Sequence, residues 1–139
     1  MPPSTLQEQL IRDEGMRLKP YVDSVGKTTI GCGRNLSDVG ISQAEALILL
    51  AGDIKNAEDH LEQELPWTGG LDNVRHAALV GMTFNMGIGR LLQFQDFLSA
   101  MALGDYKAAS VAMLDSLWAK QVGVRALRLS VQIATGIWQ

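Results

Sequence analysis

The stretch RDEGMRLKPYVDSVGKTTIGCGRN, from Arg12 to Asn35, differs from the rest of this chain and decides the fold class. It contains four glycines, the only cysteine and two carboxylates nine residues apart, Glu14 and Asp23. From Lys19 onward the apolar spacing of a helix is lost, and proline and glycine separate short β-branched pieces. We therefore predict a small antiparallel sheet of two or three strands in a chain that is otherwise helical.

A first helix is predicted over residues 4–14, and it includes the start of this stretch. Thr5 and Glu8 match the T-x-x-E capping box, and Gly15 is a suitable residue for the helix end. Glu14 would then lie at the helix C-terminus, where the helix dipole is negative. A partly buried carboxyl group at such a place is pushed towards its protonated form.

A second, longer helix is predicted after the stretch, over residues 42–65. Ser42 and Glu45 form another capping box, and Pro66 ends the pattern. A helix of about 23 residues would be about 35 Å long. Its one polar face suggests a rod that joins two lobes.

The remaining residues, 66–139, contain only helical patterns. The segment DNVRHAALVGMTFNMG is apolar nearly all round, which is typical of a buried central helix, and three amphipathic segments follow it. We predict an α+β, mostly helical fold in a single domain over 1–139. A small β-containing lobe would cover about 15–50, and the helical lobe would also include the N-terminal helix, 4–14.

Composition limits the class of protein. The chain has 139 residues, of which 47% are hydrophobic and 19% charged, as in globular proteins. One cysteine excludes an internal disulfide framework. The first ten residues do not form a secretory signal, and no apolar stretch approaches the ~18 residues of a membrane span.

Charge is distributed unevenly. The net charge of −3 argues against a nucleic-acid partner. Residues 1–65 hold six Lys/Arg and eleven Asp/Glu, a balance of −5, whereas residues 66–139 hold six and four, a balance of +2. The second half could therefore favour an anionic polymer, but only mildly.

Glu14 and Asp23 are candidate catalytic groups. One carboxyl at a helix end and one ionised carboxylate on a polar loop are what glycoside hydrolysis requires. Thr29, six residues after Asp23, could hold a water molecule. Spacing alone leaves a second interpretation open, in which Glu14 is a surface residue and Asp23 a turn residue.

The motif E-G-x-x-L-x-x-Y-x-D-x-x-G-x-x-T-I-G-x-G, from Glu14 to Gly33, resembles the signature of phage-type lysozymes, glycoside hydrolase family 24. The likeness continues through ALVGMTFNMG, SLWAKQVGVRALR and TGIW, and so covers Leu10–Trp138. It implies a lysozyme-like fold in which a long helix joins the β-containing lobe to the helical lobe.

The resemblance also implies roles for individual residues. Glu14 would be the general acid, Asp23 would orient or activate a water on the opposite face of the sugar, and Thr29 would help to hold that water. Such enzymes invert, which needs room for the water between the carboxyl groups. Arg125 matches the arginine that pairs with the catalytic glutamate.

Further residues match the sugar cleft of the family. Leu36 and Phe84 match positions that line it, and Asn85 and Trp118 match a polar–aromatic pair behind it. Arg34 stands where a family member has a histidine in a salt bridge, so that pair does not transfer to this chain.

The function implied is that of an endolysin muramidase. Its partners would be peptidoglycan glycan strands, with no nucleic acid. It would be a monomer that waits in the host cytoplasm and reaches the cell wall through a separate holin. Two alternatives stay open: a lytic transglycosylase, and an inactive peptidoglycan-binding module on the same fold.

No cofactor and no metal site are predicted, because two lone histidines, His60 and His76, do not make a metal site without carboxylates at ligand spacing. Cys32 is interpreted as a packed residue of the sheet rather than a nucleophile. Trp118 and Trp138 are predicted to lie in the core.

Overall fold

The structure is a computed structural model that describes all 139 residues. It is mostly helical, with eight α-helices and one small antiparallel sheet, which confirms the predicted α+β class. No helix is long and apolar enough to cross a membrane. In chain order the elements are α1 (Leu6–Glu14), β1 (Arg17–Val22), β2 (Thr28–Gly31), β3 (Arg34–Asn35), α2 (Gln43–Glu64), a 3₁₀ turn (Pro66–Gly70), α3 (Asn73–Met86), α4 (Ile88–Leu91), α5 (Gln95–Leu103), α6 (Tyr106–Leu114), α7 (Leu117–Val122) and α8 (Val124–Thr135).

The chain divides into two compact units, Met1–Ile48 and Leu49–Gln139. The boundary falls inside α2, which is one continuous helix. The sheet and α1 both belong to the first unit. The expectation that α1 forms part of the helical lobe therefore stays a prediction.

The first unit is built around the sheet, in the order β1-β2-β3 with antiparallel pairing throughout. Thr29 on the central strand pairs with Tyr21 on one side and Asn35 on the other. The β1–β2 register is irregular between Arg17 and Tyr21, in the segment that contains Pro20. Proline has no N–H to donate, so β1 can accommodate it only as an edge strand.

Capping explains the limits of α1. The Thr5 hydroxyl accepts a hydrogen bond from the Glu8 N–H at 3.1 Å, as the capping box predicts. The Glu8 carboxylate, however, turns back to the N–H and hydroxyl of Ser4, at 2.7 and 2.9 Å, and not to Thr5. Gly15 ends the helix with a φ of 79°, a backbone conformation that favours glycine.

The predicted capping box of the long helix is confirmed in both directions. The Ser42 N–H donates to the Glu45 carboxylate at 2.9 Å, and the Glu45 N–H donates to the Ser42 hydroxyl at 3.1 Å. The helix then runs over Gln43–Glu64 and stops before Pro66, as predicted for 42–65.

The helix α3 contributes more residues to the core of the second unit than any other helix. Five of its residues are buried, which confirms the predicted burial of this helix. The helix pairs α6–α8, α5–α6 and α3–α8 pack against one another. The largest fully buried side chains are Phe97, Leu61, Leu79, Met82, Leu91, Met101, Met113, Ile133 and Thr68.

Two predictions about tryptophan have different outcomes. Trp118 is buried at 8% exposure, which confirms that it lies in the core. Trp138 is 64% exposed, so its predicted burial is wrong. It follows the glycine cap of α8 at Gly136, in residues with no regular structure.

Candidate active site

Glu14 is the last residue of α1 and is exposed. The helix ends immediately after it because the Gly15 N–H donates to the Ile11 carbonyl at 2.9 Å and Gly15 then leaves the helical conformation. The strand β1 begins two residues later, at Arg17. Glu14 therefore lies at the end of a helix, just before the first strand, as predicted.

Asp23 begins the turn between β1 and β2 and is half-buried. Its Oδ1 accepts two backbone hydrogen bonds, from the N–H groups of Val25 at 3.0 Å and Lys27 at 2.8 Å. Its carbonyl accepts from the N–H of Gly26, which has a φ of 83°. Asp23 is thus a turn residue, as one interpretation held, but its carboxylate is also held in one orientation.

Thr29 lies on the central strand and is 3% exposed. Its hydroxyl donates to the Lys27 carbonyl at 3.0 Å. The hydroxyl hydrogen is therefore already used inside the protein, and the lone pairs of Oγ1 are what the group can offer to another partner. Glu14, Asp23 and Thr29 all belong to the first unit.

The predicted polar–aromatic pair of the second unit is present as a hydrogen bond. The Trp118 indole N–H donates to Asn85 Oδ1 at 2.7 Å, and the Phe94 ring packs edge-on to Trp118 with centroids 6.3 Å apart. This bond fixes the amide orientation of Asn85, because a carbonyl oxygen and not an NH₂ group must face the indole.

A pocket of about 470 Å³ lies beside this pair within the second unit. Arg90 and Asp115 both line it, and neither forms an ion pair. The complete lining is Met86, Arg90, Gln93, Phe94, Asp115, Ser116, Leu117, Trp118 and Gln121.

Phe84, on α3, is 46% exposed, although five other residues of the same helix are buried. Leu36 follows β3, is half-buried and donates its N–H to the Thr28 carbonyl at 2.7 Å. Arg125 is exposed on α8 of the second unit. Its predicted partner, Glu14, belongs to the first unit, so the pairing of these two residues stays a prediction. The predicted contacts of Leu36 and Phe84 with the sugar also stay predictions.

Arg34 forms a salt bridge of its own. Its guanidinium lies 2.8 Å from Glu45 Oε1 and also donates to the Gly40 carbonyl at 3.2 Å. The hydrogen bond from Arg34, followed by those from Ser42, lowers the pKa of Glu45 to about 2. The pair fastens β3 to the start of α2.

Sequence reasoning missed contacts between residues far apart in the chain. The Cys32 thiol reaches the Leu10 carbonyl at 3.3 Å, so the only cysteine ties the end of β2 to α1. Lys27 reaches Asp38 at 3.1 Å, eleven residues later. No group of three or more His, Cys, Asp and Glu side chains comes together in the structure.

The chain is similar to several known proteins. The sequence model of a family described as phage lysozyme matches residues 12–130. The pre-baseplate central spike protein Gp5 of Enterobacteria phage T4 is 31% identical over 97% of this chain, but the chain spans only 28% of the length of Gp5. The endolysin of Salmonella phage P22 is 31% identical, over 81% of this chain and 79% of its own length. A probable T4-type lysozyme of Dictyostelium discoideum is 25% identical, over 96% and 95%.

Proposed function

Because the chain belongs to the phage lysozyme family, we propose that it hydrolyses the β-1,4 bond between N-acetylmuramic acid and N-acetylglucosamine. Family membership makes the chain a glycoside hydrolase of the lysozyme type that acts on peptidoglycan. We propose in addition which glycosidic bond is cleaved, that the anomeric carbon is inverted, and which residues are catalytic.

The mechanism rests on one observation: Asp23 and Thr29 each have an oxygen atom that can accept a hydrogen bond from a water molecule. No protein donor contacts Asp23 Oδ2, because both N–H groups bind Oδ1. The Thr29 hydroxyl has given its hydrogen to Lys27. A water held by these two groups would donate one hydrogen to each. Its lone pairs would then point away from the protein and towards the sugar.

Glu14 completes the mechanism as the general acid. It protonates the glycosidic oxygen while Asp23 takes a proton from the attacking water. Attack by water on the face opposite the leaving group inverts the anomeric carbon. The exposed end of α1 supports this role, since the carboxyl group must reach the scissile bond.

The other predicted residues would bind or support. Arg125 would pair with Glu14 and keep its carboxyl group oriented. Leu36 and Phe84 would pack against the sugar rings, and the exposed aromatic face of Phe84 suits such a contact. Asn85, fixed by Trp118, would offer its amide N–H₂ to a sugar substituent.

The test compares Glu14→Gln and Asp23→Asn with the parent enzyme in turbidity loss of permeabilised Gram-negative cells. Both variants should keep the fold, and both should lose activity by at least about a hundredfold. Asp13→Asn is the matched control, because it removes a neighbouring carboxylate that pairs only with Arg12. Near-parent lysis by either variant would remove that residue from the mechanism.

Two other activities fit the same fold, a lytic transglycosylase and an inactive wall-binding module. A transglycosylase needs no water, and the two acceptor groups argue against it. Mass spectrometry of digested peptidoglycan distinguishes the three: hydrated reducing ends support the hydrolase, and 1,6-anhydro ends support the transglycosylase. Wall binding without any released reducing sugar supports the inactive module.

For the whole protein we propose an endolysin that lyses the host. It would act as a monomer, remain in the host cytoplasm and depend on a holin for release. Its 79% coverage of the P22 endolysin supports this role. Expression in a bacterial host should cause lysis only when a holin is expressed with it.

The match to a central spike protein favours a second candidate for the whole protein, a virion component that carries the same lysozyme. Proteomics of purified phage particles separates the two roles. A virion component is present in washed particles at a fixed copy number, whereas an endolysin is found only in the lysate.

A further inference from the structure

The backbone of Lys27 is shared by the two side chains proposed to hold the attacking water. Its N–H donates to Asp23 Oδ1 at 2.8 Å. Its carbonyl accepts from the Asp23 N–H at 2.9 Å and from the Thr29 hydroxyl at 3.0 Å. A displacement of Lys27 would therefore move both side chains together.

The side chain of Lys27 is fixed in turn. Its Nζ lies 3.1 Å from Asp38 Oδ1. Asp38 Oδ2 accepts from the Asn35 amide at 3.0 Å, and the Asp38 N–H donates to Asn35 Oδ1 at 2.9 Å. Asn35 lies opposite Thr29 in the sheet. The contacts form a closed ring from Thr29 through Asn35, Asp38 and Lys27 back to Thr29.

The turn between Asp23 and Lys27 is permissive. Ser24, Val25 and Gly26 are all exposed, and Gly26 has a φ of 83°, a conformation that glycine adopts without cost but does not lock. The position of Asp23 therefore depends on what holds the far end of the turn, which is Lys27.

The ion pair contributes little to folding by itself. The side chains of Lys27 and Asp38 are 41% and 55% exposed, and an exposed ion pair in water stabilises a protein only slightly. Neither residue belongs to the hydrophobic core. An effect on geometry is therefore expected to exceed any effect on stability.

We propose that Lys27 and Asp38, braced by Asn35, are positioning residues that set the placement of Asp23 and Thr29 around the attacking water. This inference rests on the proposed function, because it assumes that these two side chains hold the water. The side chains of Lys27 and Asp38 form no hydrogen bond with the side chain of Asp23 or of Thr29. They act only through the turn and through the backbone of Lys27.

The test measures kcat and KM for release of reducing ends from soluble peptidoglycan fragments. Lys27→Met and Asp38→Asn should each lower kcat roughly tenfold with KM unchanged, since small misplacement of reacting groups has large kinetic effects. Lys27→Arg keeps the ion pair and should retain most of kcat. The double variant should be no slower than either single one, because both break the same contact.

The matched control is Lys55→Met. It removes the same charge and breaks an equally simple exposed pair, Lys55–Asp59 on α2. It should leave kcat and KM at the parent values. Thermal unfolding of every variant shows whether a loss of kcat accompanies a loss of folded protein.

Several results would overturn the proposal: an unchanged kcat in Lys27→Met, an equal loss in Lys55→Met, or a loss that follows the folded fraction. These results differ from a failure of the proposed function. If Asp23→Asn kept its activity, the water-holding role itself would be wrong. If Asp23→Asn were inactive while Lys27→Met and Asp38→Asn were unimpaired, only the positioning role would fail.

Discussion

The hydroxyl of Thr29 donates its hydrogen to the Lys27 carbonyl. Its oxygen can therefore only accept a hydrogen bond from a further partner such as a water molecule. Thr29→Val keeps the shape of the side chain but removes that acceptor, and activity should fall about a hundredfold if the group holds the attacking water. Thr29→Ser keeps the hydroxyl and should retain much of it. The measurement is the initial rate of release of reducing sugar.

Thr68→Val is the matched control for this substitution. Thr68 is also buried, and its hydroxyl also donates to a backbone carbonyl, that of Leu65 at 2.7 Å. It should lose stability like Thr29→Val but keep its activity. Equal losses of activity in the two variants would mean that the hydroxyl of Thr29 serves the fold only.

Glu45 makes stability depend on pH. Hydrogen bonds from Arg34 and then Ser42 lower its pKa to about 2 in the folded protein, against about 4.3 in an unfolded chain. A lowered folded pKa contributes stability that is complete above the unfolded value and is lost as pH falls through the folded one. The contribution of Glu45 should therefore disappear between about pH 4.3 and pH 2.

Urea unfolding of the parent and of Glu45→Gln at several pH values tests this expectation. The difference in the free energy of unfolding should be constant above about pH 5 and should shrink towards zero near pH 2. Glu62→Gln, which removes a carboxylate without hydrogen bonds from the same helix, is the control for the loss of one negative charge. A difference that persists at pH 2 would contradict the assignment to this carboxylate.

At the level of elements, Arg75 fastens the end of α8 to α3. Its guanidinium donates to the carbonyls of Ile133 and Ala134, at 2.6 and 3.2 Å, and stacks 3.7 Å above the ring of Tyr106. The last carbonyls of a helix have no partner in their own helix. Arg75 supplies that partner, and a Cβ at Gly136 would meet it at 3.0 Å.

Arg75→Met should therefore lower the free energy of unfolding by about 2 kcal/mol, because it removes hydrogen bonds from a charged donor to two carbonyls. Arg128→Met is the control, since Arg128 is exposed on α8 and makes no hydrogen bond or ion pair. Urea unfolding measures both. Equal effects of the two substitutions would show that the contacts of Arg75 contribute nothing particular.

The elements that local chemistry specifies could be predicted from the sequence. Two capping boxes and two terminators fixed the limits of α1 and α2, because these signals act within four residues. The contacts that cross between elements could not be predicted. Arg75 bonds to residues 58 and 59 positions away, and nothing in its neighbours indicates which carbonyls it meets.

In the candidate site, too, the locally specified residues could be predicted and the contacts between distant residues could not. Glu14 and Asp23 could be predicted, because the motif carries them on a helix end and a turn. The positioning role proposed for Lys27 could not, because it depends on an ion pair with Asp38, eleven residues later, and on backbone hydrogen bonds that no motif indicates. Trp138 was wrongly predicted to be buried, because its apolar character alone was taken as the signal although it lies beyond the glycine cap of α8.

The charge of the whole molecule should govern its approach to the wall. The net charge is −3, so an anionic wall repels the protein at long range. At such distances the net charge decides the interaction, and the positive balance of residues 66–139 does not. Raising the salt concentration from about 0.01 to 0.15 M shortens the Debye length from about 30 to 8 Å. The initial rate of lysis should therefore rise over this range. Neutralising Glu58 and Glu62, both exposed on α2, should weaken the dependence of the lysis rate on salt. A rate that falls steadily as salt is raised would contradict this expectation. It would mean that the +2 balance of residues 66–139 dominates the encounter with the wall.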